Sequence, residues 1–362
     1  MPGADLSAVP AVPGVLSARD IRLSAESIAA AQESDGAIPW FTGGHTDPWD
    51  HVESAMALTA AGLLDEARDA YTWSAKTQRA DGSWPTQFRD GVIENHDADA
   101  NFCAYLATGL RHYLTSTGDS EFAAQLWPAV RAAVDFVLTL QLGPHGEIHW
   151  SRSAQGTSGE ALLTGSASIF HSLRCALSLA DELSDPQPQW ELAALRLGHA
   201  LRAHPEAFLD KSRYSMDWYY PILTGALRGP KAHAHIATHW DTFVLPDLGI
   251  RCVSDAPWAT GAETCELVLT LDAVGDTTRA LRLFTDMQHL RDPDGSYWTG
   301  LVYTDNTRWP EERTTWTAAA VILAADALSR TTPANNIFRD LVPDIPVDHR
   351  CDCPTPLDAR SR

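Results

Sequence analysis

The sequence predicts an all-α chain closed into an (α/α)6 toroid, six inner helices ringed by six outer ones. Three observations carry that prediction. Apolar residues recur at three- and four-residue spacing over most of the chain, while strand-like alternation is scarce. Glycine, proline and Asx clusters cut this pattern into twelve segments. The connections also alternate in kind, short turns with long tryptophan-rich loops, as stacked helical hairpins require.

In chain order the segments are 18–33, 50–62, 64–78, 97–115, 119–141, 160–183, 187–203, 214–227, 232–244, 259–274, 277–290 and 313–329. Short turns such as "AGLLDE" (61–66), "STGDSE" (116–121) and "VGDT" (274–277) join the two helices of a hairpin. The six helices after long loops begin near 50, 97, 160, 214, 259 and 313, and are rich in small residues, as in "ESAMALTAAG" and "TTWTAAAVILAADAL". Small side chains suit helices crowded about an axis. Helices after short turns, such as "DEARDAYTWSAKTQ", are charged and amphipathic, which suits an outer ring. The segment 232–244, short and rich in histidine and threonine, has the weakest pattern. Closure fits better than an open solenoid, because six pairs fill a ring and neither end carries a capping repeat. Residues 1–17 and 331–362 read as an N-terminal arm and a Pro-rich C-terminal tail about an 18–330 domain. They offer surface for a homodimer, on which the sequence is silent.

The 362 residues are 44% hydrophobic and 20% charged, enough for a sizeable core. Acids outnumber bases 47 to 27, and a formal charge of −20 repels polyanions, so nucleic acid is not an expected partner. No apolar run approaches a membrane span. The first twenty residues lack a basic n-region and a continuous apolar stretch, so a cytoplasmic protein with reduced thiols is expected. Cys103, Cys175 and Cys265 sit in apolar helical stretches as small hydrophobes. Cys351 and Cys353 form an isolated C-x-C in the tail.

One phrase recurs at helix ends: "QESDGAIPW" (32–40), "QRADGSWP" (78–85), "QLGPHGEIHW" (141–150) and "DPDGSYW" (292–298). In a toroid the long loops emerge at one end, so this turn is expected to bring Trp40, Trp84, Trp150 and Trp298 to a common rim. Trp49, Trp218, Trp258, Trp309 and Trp316 fall near the same end, and about half of the nine are expected to plug loops against the core instead.

The same loops carry acids to inner-helix starts: Asp47, Asp50 and Glu53 in "DPWDHVE", Glu94, Asp97 and Asp99 in "ENHDAD", then Glu160, Asp217, Glu263, Glu311 and Glu312. Any one of them alone reads as a helix cap. Six such starts converging on one hollow make an acidic, indole-lined cleft. That is the equipment of glycoside hydrolysis: rings stack on sugar C–H faces, one carboxyl stays protonated for the leaving oxygen, and another activates water. Inversion needs the two ~6.5–9.5 Å apart, a span that opposite walls of a mouth would supply. Asp47 and Asp50 on one wall and Glu263 on another are the catalytic candidates. Asp97 and Asp99 are expected to hold sugar hydroxyls, with Trp40, Trp49, Trp84, Trp150, Tyr219, Trp258 and Trp298 completing the binding surface. Arg89, Arg152, His51 and His96 are weaker hydrogen-bonding candidates.

On these residues the chain resembles two families. "QRADGSWP" is similar to the glutamine–tryptophan repeats of prenyltransferases and triterpene cyclases, but the D-x-D-D and D-D-x-x-D acid motifs of terpene enzymes are absent. Over about 18–330 the chain resembles the (α/α)6 glycoside hydrolases related to glucoamylases and trehalases, through "WDHVESAMAL", "AVDFVLTLQLGPHGEIHW" and "PWATGAETCELVLTL". More narrowly it is similar to the actinobacterial hydrolases of methylmannose polysaccharide, intracellular endo-acting α-mannosidases. The resemblance implies an inverting mechanism with acid and base at Asp47 and Glu263, and O-methyl groups seated on Trp, Tyr and Met216.

Other signals are weaker. His233, His235 and His239 have metal-like spacing, yet helix geometry puts only the last two on one face. There is no Walker-type or dinucleotide loop and no G-x-S-x-G elbow, so no cofactor and no metal are expected. A noncatalytic carbohydrate-binding toroid stays open as an alternative. A polysaccharide lyase would need a basic site, against the net charge.

Overall fold

The computed structural model describes residues 9–340. Its helices are α1 (Ala18–Ala31), α2 (Pro48–Ala60), α3 (Leu64–Thr77), α4 (Ala100–Ala104), α5 (Leu106–Thr117), α6 (Ser120–Leu138), α7 (Leu163–Glu182), α8 (Pro188–Ala203), α9 (Ser215–Leu223), α10 (Gly229–Phe243), α11 (Gly261–Ala273), α12 (Thr277–Asp286) and α13 (Thr315–Ser329). Each predicted segment is represented, including the weak one at α10. The segment expected as one helix over 97–115 is instead a short strand followed by α4 and α5, which part at Tyr105.

Packing sorts the helices into two sets. α2 packs on α5, α5 on α7, α7 on α9, α9 on α11, α11 on α13, and α13 returns to α2. Against these lie α3, α6, α8, α10, α12 and α1, each on its own partner. Burial follows the same division. In α11 and α13 nearly every residue is buried, and the small side chains there let helices approach on all sides. In α3 and α12 only a stripe is buried. Val9, Val12 and Leu16 at one end and Ile337 and Phe338 at the other join the same core. Cys351 and Cys353 lie outside the described residues.

The all-α expectation needs one correction. The long loops carry short antiparallel strands, the largest set running 307–308, 300–302, 258–260, 249–251 and 244–245 across a five-stranded sheet. Strands of two to four residues satisfy loop backbone groups locally, and they are too short to show alternation in sequence. The strand Trp258–Thr260 ends at Thr260, the N-cap of α11, and so fixes how that helix enters the hollow.

The recurrent Gln–Gly turn has a structural explanation. Gln32 Nε2 donates to Gly36 O within its turn and to Glu66 O on α3, both at 3.0 Å. Gln78 does the same with Gly82 O at 2.9 Å and Ala129 O on α6 at 2.8 Å. Gln141 bonds Gly146 O at 2.8 Å and Ala193 O on α8 at 2.9 Å. Each glycine has positive φ and lies where a Cβ would strike the next outer helix: Gly36 at Asp69, Gly82 at Ala132, Gly146 at Arg196. Gly295 meets Leu23 of α1 in the same way. The turn therefore staples one outer helix to the next.

Candidate active site

Three of the expected catalytic acids are buried at helix starts. Asp47 is the N-cap of α2, its Oδ1 accepting from the amides of Trp49 and Asp50 at 3.0 Å each. Pro48 at the first helical position suits this entry. The preceding residue is fixed by paired backbone bonds between Thr46 and Phe88 at 2.7 and 2.9 Å. Glu263 stands in the first turn of α11.

One helical turn deeper on each helix comes a second carboxylate, Glu53 behind Asp50 and Glu266 behind Glu263. The i, i+3 spacing keeps each pair on one face. Asp50 and Glu263 keep 7% and 6% exposure, Glu53 and Glu266 only 3% and 2%, so the first two form the outer tier and the second two the floor. Tyrosine hydroxyls secure that floor: Tyr105 donates to Glu53 Oε2 at 3.3 Å, Tyr220 to Glu266 Oε1 at 2.5 Å, and Tyr219 to Glu266 Oε2. α2 and α11 are not opposite walls as expected. Both flank α13.

Electrostatics set the proton inventory. Burial pushes the Asp50 carboxyl well above the ordinary range, and the adjacent Asp47 charge pushes it further. Burial also raises Asp47, but its hydrogen bonds with Asp50 and with the helix amides oppose that. Of the two, Asp50 is the carboxyl whose protonated form is favoured more strongly. Burial raises Glu53 to about 7, partly offset by the Tyr105 hydroxyl. Glu266 is raised well above the carboxylate range by burial and then by Glu53. Asp99, the half-buried N-cap of α4, is raised to about 6 by desolvation, against its bonds from Phe102 and Asn101. Asp97 is only partly buried in the loop before it, where its carbonyl accepts from Thr86.

The tryptophans divide. Trp49 packs edge-on to Tyr105 and Tyr220 beside the acids, and Trp150, 36% exposed, lines a cleft with it. Trp40 lies against His45 and Trp316 and donates to Glu312 at 3.0 Å. Trp258 meets the exposed Trp309 edge-on at 5.1 Å. Three expectations change. Trp84 is buried with its Nε1 on Ser74 O at 2.9 Å, which removes it from any binding surface. Trp298 carries the guanidinium groups of Arg308 and Arg313 over its ring. Tyr219 is fully buried and holds Glu266 rather than a ligand. Among the lesser candidates, His51 is a buried structural link between Ile38 N and Ala70 O, held neutral by burial, which lowers it to about 4. Arg89 pairs with Glu94 at 2.6 Å, and Arg152 donates to Thr139 at 2.8 Å.

His235 Nε2 is engaged with Trp218 O at 2.9 Å. Among the described residues, His145, His204 and Glu206 do come together, but the two imidazoles stack at 3.8 Å and 14°. Lone pairs lying in two near-parallel ring planes do not meet on one ion.

Among solved structures, the fold is shared with a wild-type glycosidase (TM-score 0.69, 16% identity, 86% of this chain and 96% of that one). It is also shared with a D-mannose isomerase (TM-score 0.63, 13% identity, 87% and 99%). No family model matches the sequence. The architecture is thus the helical one that glycosidases use. In sequence the chain is 63% identical over 353 residues to the MMP endo-(1,4)-3-O-methyl-α-D-mannosidase of Mycolicibacterium hassiacum, covering 97% of this chain and 98% of that protein. The chain belongs to that family of glycosidases.

Proposed function

We propose that this enzyme is an endo-acting α-mannosidase that cleaves internal 1,4 linkages of methylmannose polysaccharide with inversion, on an (α/α)6 toroid. The observation that carries the reading is the buried Asp47–Asp50 pair at the start of a helix that shares the neighbour α13 with the helix bearing Glu263. In this reading Asp50 gives its proton to the glycosidic oxygen as the C1–O bond breaks. Glu263 takes a proton from the water whose oxygen bonds C1 from the other face, and exchange with solvent resets both groups. Asp47 orients Asp50, and its neighbouring charge favours the protonated form of Asp50 that the step requires.

The ring of six helix contacts supports the toroid. A cytoplasmic location belongs to the same proposal. Among the described residues no helix is long and apolar enough to cross a membrane. A homodimer through the termini belongs to the same proposal, and light scattering tests it.

The deciding experiment incubates the protein with α-1,4-linked 3-O-methylmannose oligosaccharides and follows the products by proton NMR. Internal cleavage with the β-anomer formed first is expected. The α-anomer first would overturn inversion, and no cleavage would overturn the reading.

A further inference from the structure

Just past the strand 249–251 stands a cysteine that the catalytic argument does not use. The strand pairs antiparallel with Trp258–Thr260, which leads into α11, with Ile250 opposite Thr260 and Arg251 opposite Ala259. Cys252 follows directly. The strand lies close against the first turn of α11: Ile250 N donates to Thr264 Oγ1 at 2.9 Å, and a Cβ on Gly249 would come within 2.6 Å of the same oxygen. From the other side Ser215 N, at the start of α9, donates to Cys252 O at 2.9 Å, and Tyr214 bridges to Val253. The backbone thus fixes Cys252 between the starts of two neighbouring helices, α9 and α11.

Its side chain faces Glu263. Burial, then the Glu263 charge and a hydrogen bond to it, push the thiol above its ordinary range, so it keeps its proton and donates. Cys103, Cys175 and Cys265 are fully buried, whereas Cys252 is only half-buried. Among the described residues no hydroxyl or amide donates to the Glu263 side chain, in contrast with Glu266, which takes two tyrosine hydroxyls.

We infer that Cys252 is a positioning residue for the reaction: its thiol donates to Glu263 and aims that carboxylate at the attacking water. The inference deepens the mechanism proposed above and rests on Glu263 as its base. A glutamate side chain swings unless its end is held, and a base must stay within hydrogen-bond reach of the proton it takes. A thiol suits the task because it is a weak donor. A hydroxyl would hold the carboxylate as well, but it would draw more on the electron pair that takes the proton.

The test compares wild type, Cys252→Ala and Cys252→Ser in hydrolysis of α-1,4-linked 3-O-methylmannose oligosaccharides across pH. In Cys252→Ala the base loses its donor. Its kcat should fall about 3–10-fold, the worth of one ordinary hydrogen bond, with KM little changed. The acid limb of kcat/KM should move up by about half a pH unit, because a carboxylate without its donor takes a proton more readily. Cys252→Ser keeps a donor, and its acid limb should stay at or below the wild-type position. A merely structural cysteine would lower the melting temperature of the variants without moving the limb. That result overturns the inference, as does a limb raised equally in both variants. Glu263→Gln separates the inference from the reading beneath it. Turnover retained there removes Glu263 as base, and the role of Cys252 with it. Turnover lost there, with the limb unmoved in Cys252→Ala, leaves the base in place and removes only the role of Cys252.

Discussion

The backbone amide of Asp50 donates to Asp47 Oδ1 at 3.0 Å, so the residue that caps α2 also anchors the residue proposed as the acid. Asp50→Asn keeps a side chain able to donate to Asp47 but not to transfer a proton. We expect kcat to fall about 10²–10⁴-fold with little change in substrate affinity. An aryl oligomannoside whose leaving group needs no protonation should lose far less. Steady-state kinetics on both substrates checks the assignment; equal losses would move the acid elsewhere.

Glu263→Gln should abolish turnover by removing the group that takes the proton from water, while calorimetry still detects oligosaccharide binding. Added azide should restore activity and give the β-glycosyl azide, because a small anion enters where the water stood. Rescue with the α-product would point to a double displacement instead.

Glu53 supplies a pH prediction. Burial holds its folded pKa at about 7, above the ordinary glutamate value of 4.5. Below 4.5 both states are protonated and its contribution is fully present; as pH rises towards 7 the unfolded chain releases the proton first, so stability falls. The interval corresponds to ~3 kcal/mol. Chemical denaturation of wild type should show a declining free energy from pH 5 to 8, and Glu53→Gln should flatten that slope. An unchanged slope in the variant would assign the decline to other carboxyls.

How much of this was legible in the sequence differs by element. α2 and α11 were readable because small-residue runs with acids in the first turn need no long-range information. The placement of Asp47, Asp50 and Glu263 at helix starts followed from position alone. Glu266 escaped notice because it lies in an apolar stretch, although its spacing of three from Glu263, like that of Glu53 from Asp50, was the available signal. Tyr220 could not be linked to it, since α9 and α11 meet only in the folded ring. Trp84 misleads for the converse reason: its turn reads as delivering an indole outward, while the indole nitrogen returns to Ser74 on α3, the helix before the turn. The short strands required partners that no local pattern names.

The recurrent turns yield the last prediction. Gly82 has φ +89° and its missing side chain faces the backbone of Ala132. Gly82→Ala meets two penalties, an unfavourable left-handed conformation and a collision with the α6 backbone that no rotamer relieves. Gln78→Ala instead removes two hydrogen bonds to carbonyls, of 2.8 and 2.9 Å, without any steric change. The glutamine variant should lose about 1–3 kcal/mol. The glycine variant should lose more, because α3 and α6 must separate to admit the methyl group. Gly14→Ala is the control: φ there is also positive, +79°, but nothing lies within 4 Å of the added carbon, so it bears the conformational cost alone. Urea melts of the three variants rank the effects. If Gly82→Ala were no worse than Gly14→Ala, close docking of turn on helix would not be what fixes the outer helices.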